Sequence, residues 1–179
     1  MQPTNIFVII GSLRATSSNH TIIRHVSRTL PADVVFDIYD GLGTLPHFDD
    51  SEVAPETVQH FRTKIREADA VLICTPEYAF GVPGSLKNAL DWTVSTADFM
   101  DKPVGLITAS TGGDKAHASL LLTLSAISAN VVATLLIPFV RAKLKNGEVS
   151  DEATLLALHD VVEKLRHPAH QTPPSTIHP

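Results

Sequence analysis

Three short runs of continuous apolar residues punctuate the chain, and each stops abruptly at small or turn-forming residues. Ile6-Phe7-Val8-Ile9-Ile10 ends at Gly11-Ser12, Ala70-Val71-Leu72-Ile73-Cys74 ends at Thr75-Pro76, and Val104-Gly105-Leu106-Ile107-Thr108-Ala109 ends at Ser110-Thr111-Gly112-Gly113. Strands that are apolar on both faces suit a parallel sheet covered above and below by helices. Val34-Val35-Phe36-Asp37-Ile38-Tyr39 predicts a further strand with the more polar pattern of an edge. The stretch Val131 to Val140 contains a fifth, because its β-branched residues outweigh the helix formers.

Helical spacing appears between these runs. Asn19 to Leu30 places Ile22, Ile23, Val26 and Leu30 on one stripe, and Pro55 to Ala68 does the same with Val58, Phe61 and Ile65. Leu86 to Val94, Lys115 to Ala129 and Asp151 to Arg166 complete the set. Strand alternating with helix predicts an α/β doubly wound sheet, and five strands predict the flavodoxin-like order 2-1-3-4-5. One domain is expected over residues 1–166. The segment 167–179, with four prolines and three histidines and little that could pack, is expected to be a mobile tail. His167, His170 and His178 have no carboxylate or cysteine framework beside them, so no metal site is expected there.

Composition narrows the partners. The 14 basic and 19 acidic residues give a net charge of −5, which argues against nucleic acid or an anionic membrane surface. An anionic ligand would therefore have to be attracted by local dipoles and a few chosen side chains. Cys74 is the only cysteine, cannot form an internal disulfide, and fits a reducing cytoplasm. Met1 to Ile10 lacks a basic segment followed by a cleavable apolar run. No apolar stretch has membrane-spanning length, so a cytoplasmic protein is expected.

In a doubly wound sheet, ligands sit beyond the carboxyl ends of the strands. Three unusual loops leave such ends here. Gly11-Ser12-Leu13-Arg14-Ala15-Thr16-Ser17-Ser18-Asn19 crowds four hydroxyls and a guanidinium into a segment that runs into a helix start. Free amides and the helix dipole make such a start an anion site. Ser12, Ser17 and Ser18 can donate to phosphate oxygens and Arg14 adds a permanent charge. An ordinary helix cap is the plainer reading. The loop matches neither the dinucleotide fingerprint nor the P-loop pattern.

The second loop, Thr75 to Gly84, is stiffened by Pro76 and Pro83, while Gly81 and Gly84 let the backbone approach closely. Tyr78 and Phe80 offer flat apolar surface beside backbone amides, a setting for a planar heteroaromatic ring. Glu77 is a poor general base, and its backbone amide is expected to be its useful part. Trp92 is expected to pack, within the domain or against a partner chain. The third loop, Ser110-Thr111-Gly112-Gly113, allows a ligand to touch the main chain.

These residues resemble the NADPH-dependent FMN reductase family, a flavodoxin-like group that includes quinone, azo-dye and chromate reductases. The likeness rests on Gly11-Ser12-x-Arg14-x-x-Ser17-x-Asn19, and on Pro76-Glu77-Tyr78 followed by Pro83-Gly84-x-Leu86-Lys87-Asn88-Ala89-Leu90-Asp91-Trp92. It extends from about Asn5 to about Val140. The resemblance implies that Ser12, Arg14, Ser17 and Asn19, with the amides of Thr16 and Ser18, hold the FMN phosphate. It implies that Pro76, Glu77, Tyr78 and Ala79 border the isoalloxazine, and that Ser110, Gly112 and Gly113 approach its pyrimidine end. It further implies NADPH or NADH as reductant, a small-molecule acceptor such as a quinone, azo compound, chromate or free flavin, and a homodimer or homotetramer. Its interface would involve the helices after the second and third loops.

The chain departs from the family pattern where Asn is common and Ala79 stands, where Ser is common and Gly81 stands, and where Asp114-Lys115 follows Gly113. No side chain is expected to act as acid, base or nucleophile, because the flavin carries the chemistry. A non-catalytic flavin electron carrier on the same fold is the competing reading. It fits less well, since such phosphate loops are threonine-rich and lack an Arg14. A low-molecular-weight phosphatase would need a reactive cysteine in a loop closed by arginine, and Cys74, on an apolar strand with no arginine nearby, does not supply one.

Overall fold

In a computed structural model, which describes residues 2–168, all five expected strands form and join one parallel sheet. They are β1 (Thr4–Ile10), β2 (Val34–Tyr39), β3 (Ala70–Thr75), β4 (Pro103–Ala109) and β5 (Asn130–Ile137), in the order β2-β1-β3-β4-β5. The flavodoxin-like order read from the alternation of elements is therefore the observed one. The most apolar runs, β1, β3 and β4, hold the three central places, and β2, with its polar pattern, pairs only with β1 at an edge.

Strand alternation divides the core into two layers. Ile6, Val8 and Ile10 point to one face, where α1 (Ser18–Arg28) contributes Ile22, Ile23 and Val26 and α5 (Glu152–Arg166) contributes Leu158, Val161, Val162 and Leu165. Phe7 and Ile9 point to the other, packed on α2 (Glu56–Glu67), α3 (Gly84–Asp91) and α4 (Asp114–Ala126). Trp92 packs within the domain. It is 1% exposed, its Nε1 donates to Pro46 O at 2.9 Å, and its ring stands perpendicular to that of Phe48 with centroids 5.0 Å apart.

Several ends differ from the periodicity by a turn or less, each for a local reason. α1 stops at Arg28 rather than Leu30, with the Thr29 hydroxyl bonded back to Val26 O at 3.1 Å and Pro31 following. α3 stops at Asp91 rather than Val94, because Thr93 turns both its amide and its hydroxyl onto Leu90 O. α4 stops at Ala126 rather than Ala129, ahead of Ser128 at φ 59°. β5 stops before Pro138. A small antiparallel hairpin, β6 (Leu144–Lys145) and β7 (Glu148–Val149), was not anticipated. Its Asn146-Gly147 turn, at φ 54° and 77°, is a hairpin signal visible in the sequence. The expected mobile tail, with His170 and His178, lies almost wholly outside the described residues. Among the described residues no helix is long and apolar enough to cross a membrane.

Candidate active site

The first, second and third loops all leave carboxyl ends of neighbouring central strands, so the sheet order brings them together. Between them lies a cleft of ≈ 160 Å³ lined by Ser12, Arg14, Ser17, Ser18, Asn19, Pro76, Glu77, Tyr78 and Ser110 from the expected set. Ala109, Thr111, Val140 and Arg141 complete its wall. Thr16, Ala79, Gly112 and Gly113 belong to the same loops but stand outside this lining. An apolar hollow of ≈ 230 Å³ between α1 and α5 is larger, yet its wall is mainly Val26, Pro31, Leu155, Leu158 and Val162, with His25, Thr29 and His159 as its polar members and no arginine. Donor chemistry, not size, distinguishes the cleft.

Ser17 is the N-cap of α1, its Oγ accepting from His20 N at 3.3 Å and lying 3.0 Å from His20 Nδ1. The amides of Ser18 and Asn19 are the first two of the helix and have no carbonyl partner among the described residues. His20 is held below its usual value first by burial and then by Arg24, so at neutral pH it is uncharged and leaves positive charge at the helix start to Arg14 and the dipole. Ser12 is buried, with its hydroxyl 3.5 Å from that of Tyr78. Arg14 is exposed and has no ion pair among the described residues.

Asn19 occupies a different place from the other donors. Its side chain is buried, donating to Ala109 O at 3.2 Å and accepting from Cys74 Sγ at 3.2 Å. It braces the ends of β3 and β4, and only its main-chain amide remains for a ligand. Cys74 is fully buried, and burial pushes its thiol far above the usual range, so it stays protonated and inert.

Tyr78 and Gly81 exchange both main-chain hydrogen bonds, Tyr78 N to Gly81 O at 3.0 Å and Gly81 N to Tyr78 O at 2.9 Å. The two residues between them, Ala79 and Phe80, are both left-handed at φ 49° and 60°. Side chains pay about 1–2 kcal/mol there relative to glycine, and such backbone strain collects at functional sites. The tight turn holds Phe80 78% exposed. Glu77 behaves unlike the expectation that only its backbone matters. Its Oε2 accepts from Lys115 N at 3.1 Å and Ala116 N at 2.9 Å, across to the start of α4.

Arg141 was missed. Val140 N donates to Ser110 O and Phe139 N to Thr111 O, both at 3.0 Å, so the segment after β5 is stitched to the third loop. Phe139, left-handed at φ 51°, then turns the chain so that Arg141 lines the same cleft as Arg14. Arg141 lacks a glycine-rich or hydroxyl-rich context, and nothing local in the sequence marks it. Only the tertiary stitching does.

The arrangement can do one thing well, which is to bind a small multivalent anion with hydroxyls, helix amides and two arginines. A family model described as NADPH-dependent FMN reductase matches residues 4–142. A quinone reductase from Pseudomonas putida strain KT2440 is 37% identical over 117 residues. That match covers 62% of this chain and 62% of the relative's own length. An NADPH azoreductase from Bacillus sp. strain OY1-2 is 30% identical over 167 residues, covering 90% of each. The solved structure of FerB, a flavoenzyme NAD(P)H:(acceptor) oxidoreductase from Paracoccus denitrificans, superposes with a TM-score of 0.73 at 29% identity, over 90% of this chain and 94% of that one.

Proposed function

The chain belongs to the NADPH-dependent FMN reductase family, and from that premise we propose that it is an NAD(P)H-dependent oxidoreductase with FMN held at the carboxyl edge of its sheet. The single observation that carries the reading is the convergence of Arg14, Arg141, three serine hydroxyls and two free helix amides on one cleft, in a chain of net charge −5. That donor set fits a phosphate ester, with about two negative charges near neutrality.

In this reading Ser12, Arg14, Ser17, Ser18 and Arg141 hold the phosphate with the amides of Thr16, Ser18 and Asn19. Pro76, Glu77, Tyr78 and Ala79 border the ring, while Ser110, Gly112 and Gly113 give its pyrimidine end access to main chain. When bound, FMN supplies the two-electron chemistry between reduced nicotinamide and acceptor. The residues of the chain bind and orient, and the exposed rings of Tyr78 and Phe80 offer a planar acceptor a surface to stack on. Quinones and azo compounds, the acceptors named for the relatives, are the proposed substrate classes.

Residues 1–166 make one FMN-binding domain in this reading, working in the cytoplasm, where the lone buried Cys74 needs no partner. Exposed Val94, Met100 and Leu122, on and after α3 and α4, support a homodimer or homotetramer that covers them. An anaerobic absorbance spectrum of purified protein loaded with FMN tests the function. Addition of NADPH or NADH is expected to bleach the flavin band and a quinone to restore it. A chain that takes up no FMN would end the reading, and one that binds FMN without steady-state turnover would be a carrier.

A further inference from the structure

We propose that Glu77 is a positioning residue whose carboxylate clamps the second loop to the third, setting the gap between the two loops that border the cofactor. α4 has no cap of its own. Its N-cap is Gly113, at φ 108° and without a side chain, and Asp114 in its first turn pairs with Lys115 Nζ at 3.1 Å. The amides that a cap normally satisfies are those of the second and third helical residues. Here they are Lys115 and Ala116, and both donate to Glu77 Oε2, nearly forty residues away in sequence.

The opposite side of the carboxylate is equally fitted. A Cβ on Gly112 would stand 3.5 Å from Glu77 Oε1, an ordinary contact distance, so the carboxylate lies directly against the third loop. Glu77 directly precedes the hydrogen-bonded turn Tyr78–Gly81, whose left-handed Ala79 and Phe80 give the loop a tendency to relax. A negatively charged group on the N-terminus of a helix is a favourable anchor against that tendency. The clamp thus ties a strained loop to a regular element, from within the cleft that Arg14 and Arg141 also line.

The functional half of this inference rests on the FMN reading above, whereas the clamp itself can be judged in flavin-free protein. Amide hydrogen exchange would be compared for the parent chain, Glu77→Ala and Glu77→Gln, and FMN dissociation constants measured for each. In Glu77→Ala, exchange is expected to quicken at Lys115 and Ala116 and also at Tyr78 and Gly81, with FMN affinity falling roughly tenfold. Glu77→Gln keeps an oxygen acceptor but loses the charge, so it should recover part of the slow exchange and part of the FMN affinity. Unchanged exchange at Tyr78 and Gly81 in Glu77→Ala, or a glutamine variant as loose as the alanine one, would reduce Glu77 to a local cap and overturn the proposal. So would an alanine variant that binds FMN as tightly as the parent. A parent that fails to bind FMN would instead fell the functional reading, leaving the exchange data to judge the clamp.

Discussion

At the amino ends of the strands, polar groups are matched inside the protein. Thr4 N donates to Asp33 O at 2.8 Å, and Asn5 N to Asp69 Oδ2 at 2.7 Å. Arg166 bonds Asp33 through Nε at 2.9 Å, holding that carboxyl below the usual carboxylate range. Lys102 places its ammonium on the last carbonyls of the α2 region, Ala68 O at 2.6 Å and Arg66 O at 3.1 Å. At the carboxyl ends of the same strands, Arg14 and Arg141 have no ion pair among the described residues, two helix amides lack carbonyls, and Ala79, Phe80 and Phe139 are left-handed. One end of the sheet commits its polar groups to the fold, and the other keeps its arginines and two helix amides for a ligand; left-handed residues occur at both ends, Asp101 and Ser128 standing just before β4 and β5. That asymmetry is what identifies the working edge.

The largest effect should come from emptying that edge of its cations. Arg14→Ala combined with Arg141→Ala is expected to weaken FMN binding by about 1.5–3 kcal/mol per charged hydrogen bond lost, with little change in the thermal midpoint of the flavin-free protein. Arg166→Ala, at the opposite edge, should do the reverse, lowering the midpoint while leaving FMN affinity alone. Titrations and melting curves on the two variants side by side check this. If either variant shifts both quantities equally, the division between the edges fails.

Gly11 sits on the seam between core and cleft. A Cβ there would collide first with Thr75 Oγ1, and would also stand 2.9 Å from Thr75 Cβ and 3.1 Å from Leu86 Cδ2, and both neighbours are fully buried. Gly11→Ala should therefore cost about 1–3 kcal/mol of stability by overpacking, measured by denaturant unfolding. Adding Thr75→Ala should recover part of that loss. No recovery would mean that the clash is not the cause.

Ala79 offers a smaller change of opposite sign. Asn tolerates the left-handed region that alanine avoids, so Ala79→Asn should stabilise the flavin-free chain by about 1 kcal/mol. An unchanged unfolding midpoint would show that the turn is not strained in solution.

The smallest effect concerns pH. His117 lies 2.8 Å from Thr108 Oγ1, and burial holds its imidazole below the ordinary value. As pH falls from about 7.5 to about 5.5, the unfolded chain takes up this proton before the folded one does, so stability is lost through that window. His117→Gln should flatten the fall in thermal midpoint over that range. His20, lowered in the same direction, would remain to give part of it. A variant with the full parental fall would clear His117 of any part in it.

How far the sequence could be read follows the same asymmetry. The strands, their order and the two faces were legible because each depends on local periodicity and on few connection rules. The first loop was legible because its donors are contiguous, from Ser12 to Asn19. Arg141 was hidden, since it enters the cleft only through hydrogen bonds between the segment after β5 and the third loop. The role of Glu77 was hidden for the same reason, its partners lying at the start of another helix. Asn19 looked like one more donor, and only tertiary packing commits its side chain to Cys74 and Ala109. Spacing exposes what a segment does alone, while contacts between distant loops appear only in the fold.

The central claim, that the loop from Ser12 to Asn19 is a seat for a phosphate ester, is tested most directly by calorimetric titration of the flavin-free protein with FMN and with riboflavin, which differ only in that group. The account predicts tight FMN binding and riboflavin binding weaker by at least about 3 kcal/mol, as expected when several charge-assisted hydrogen bonds are lost. Equal affinities for the two flavins would contradict it.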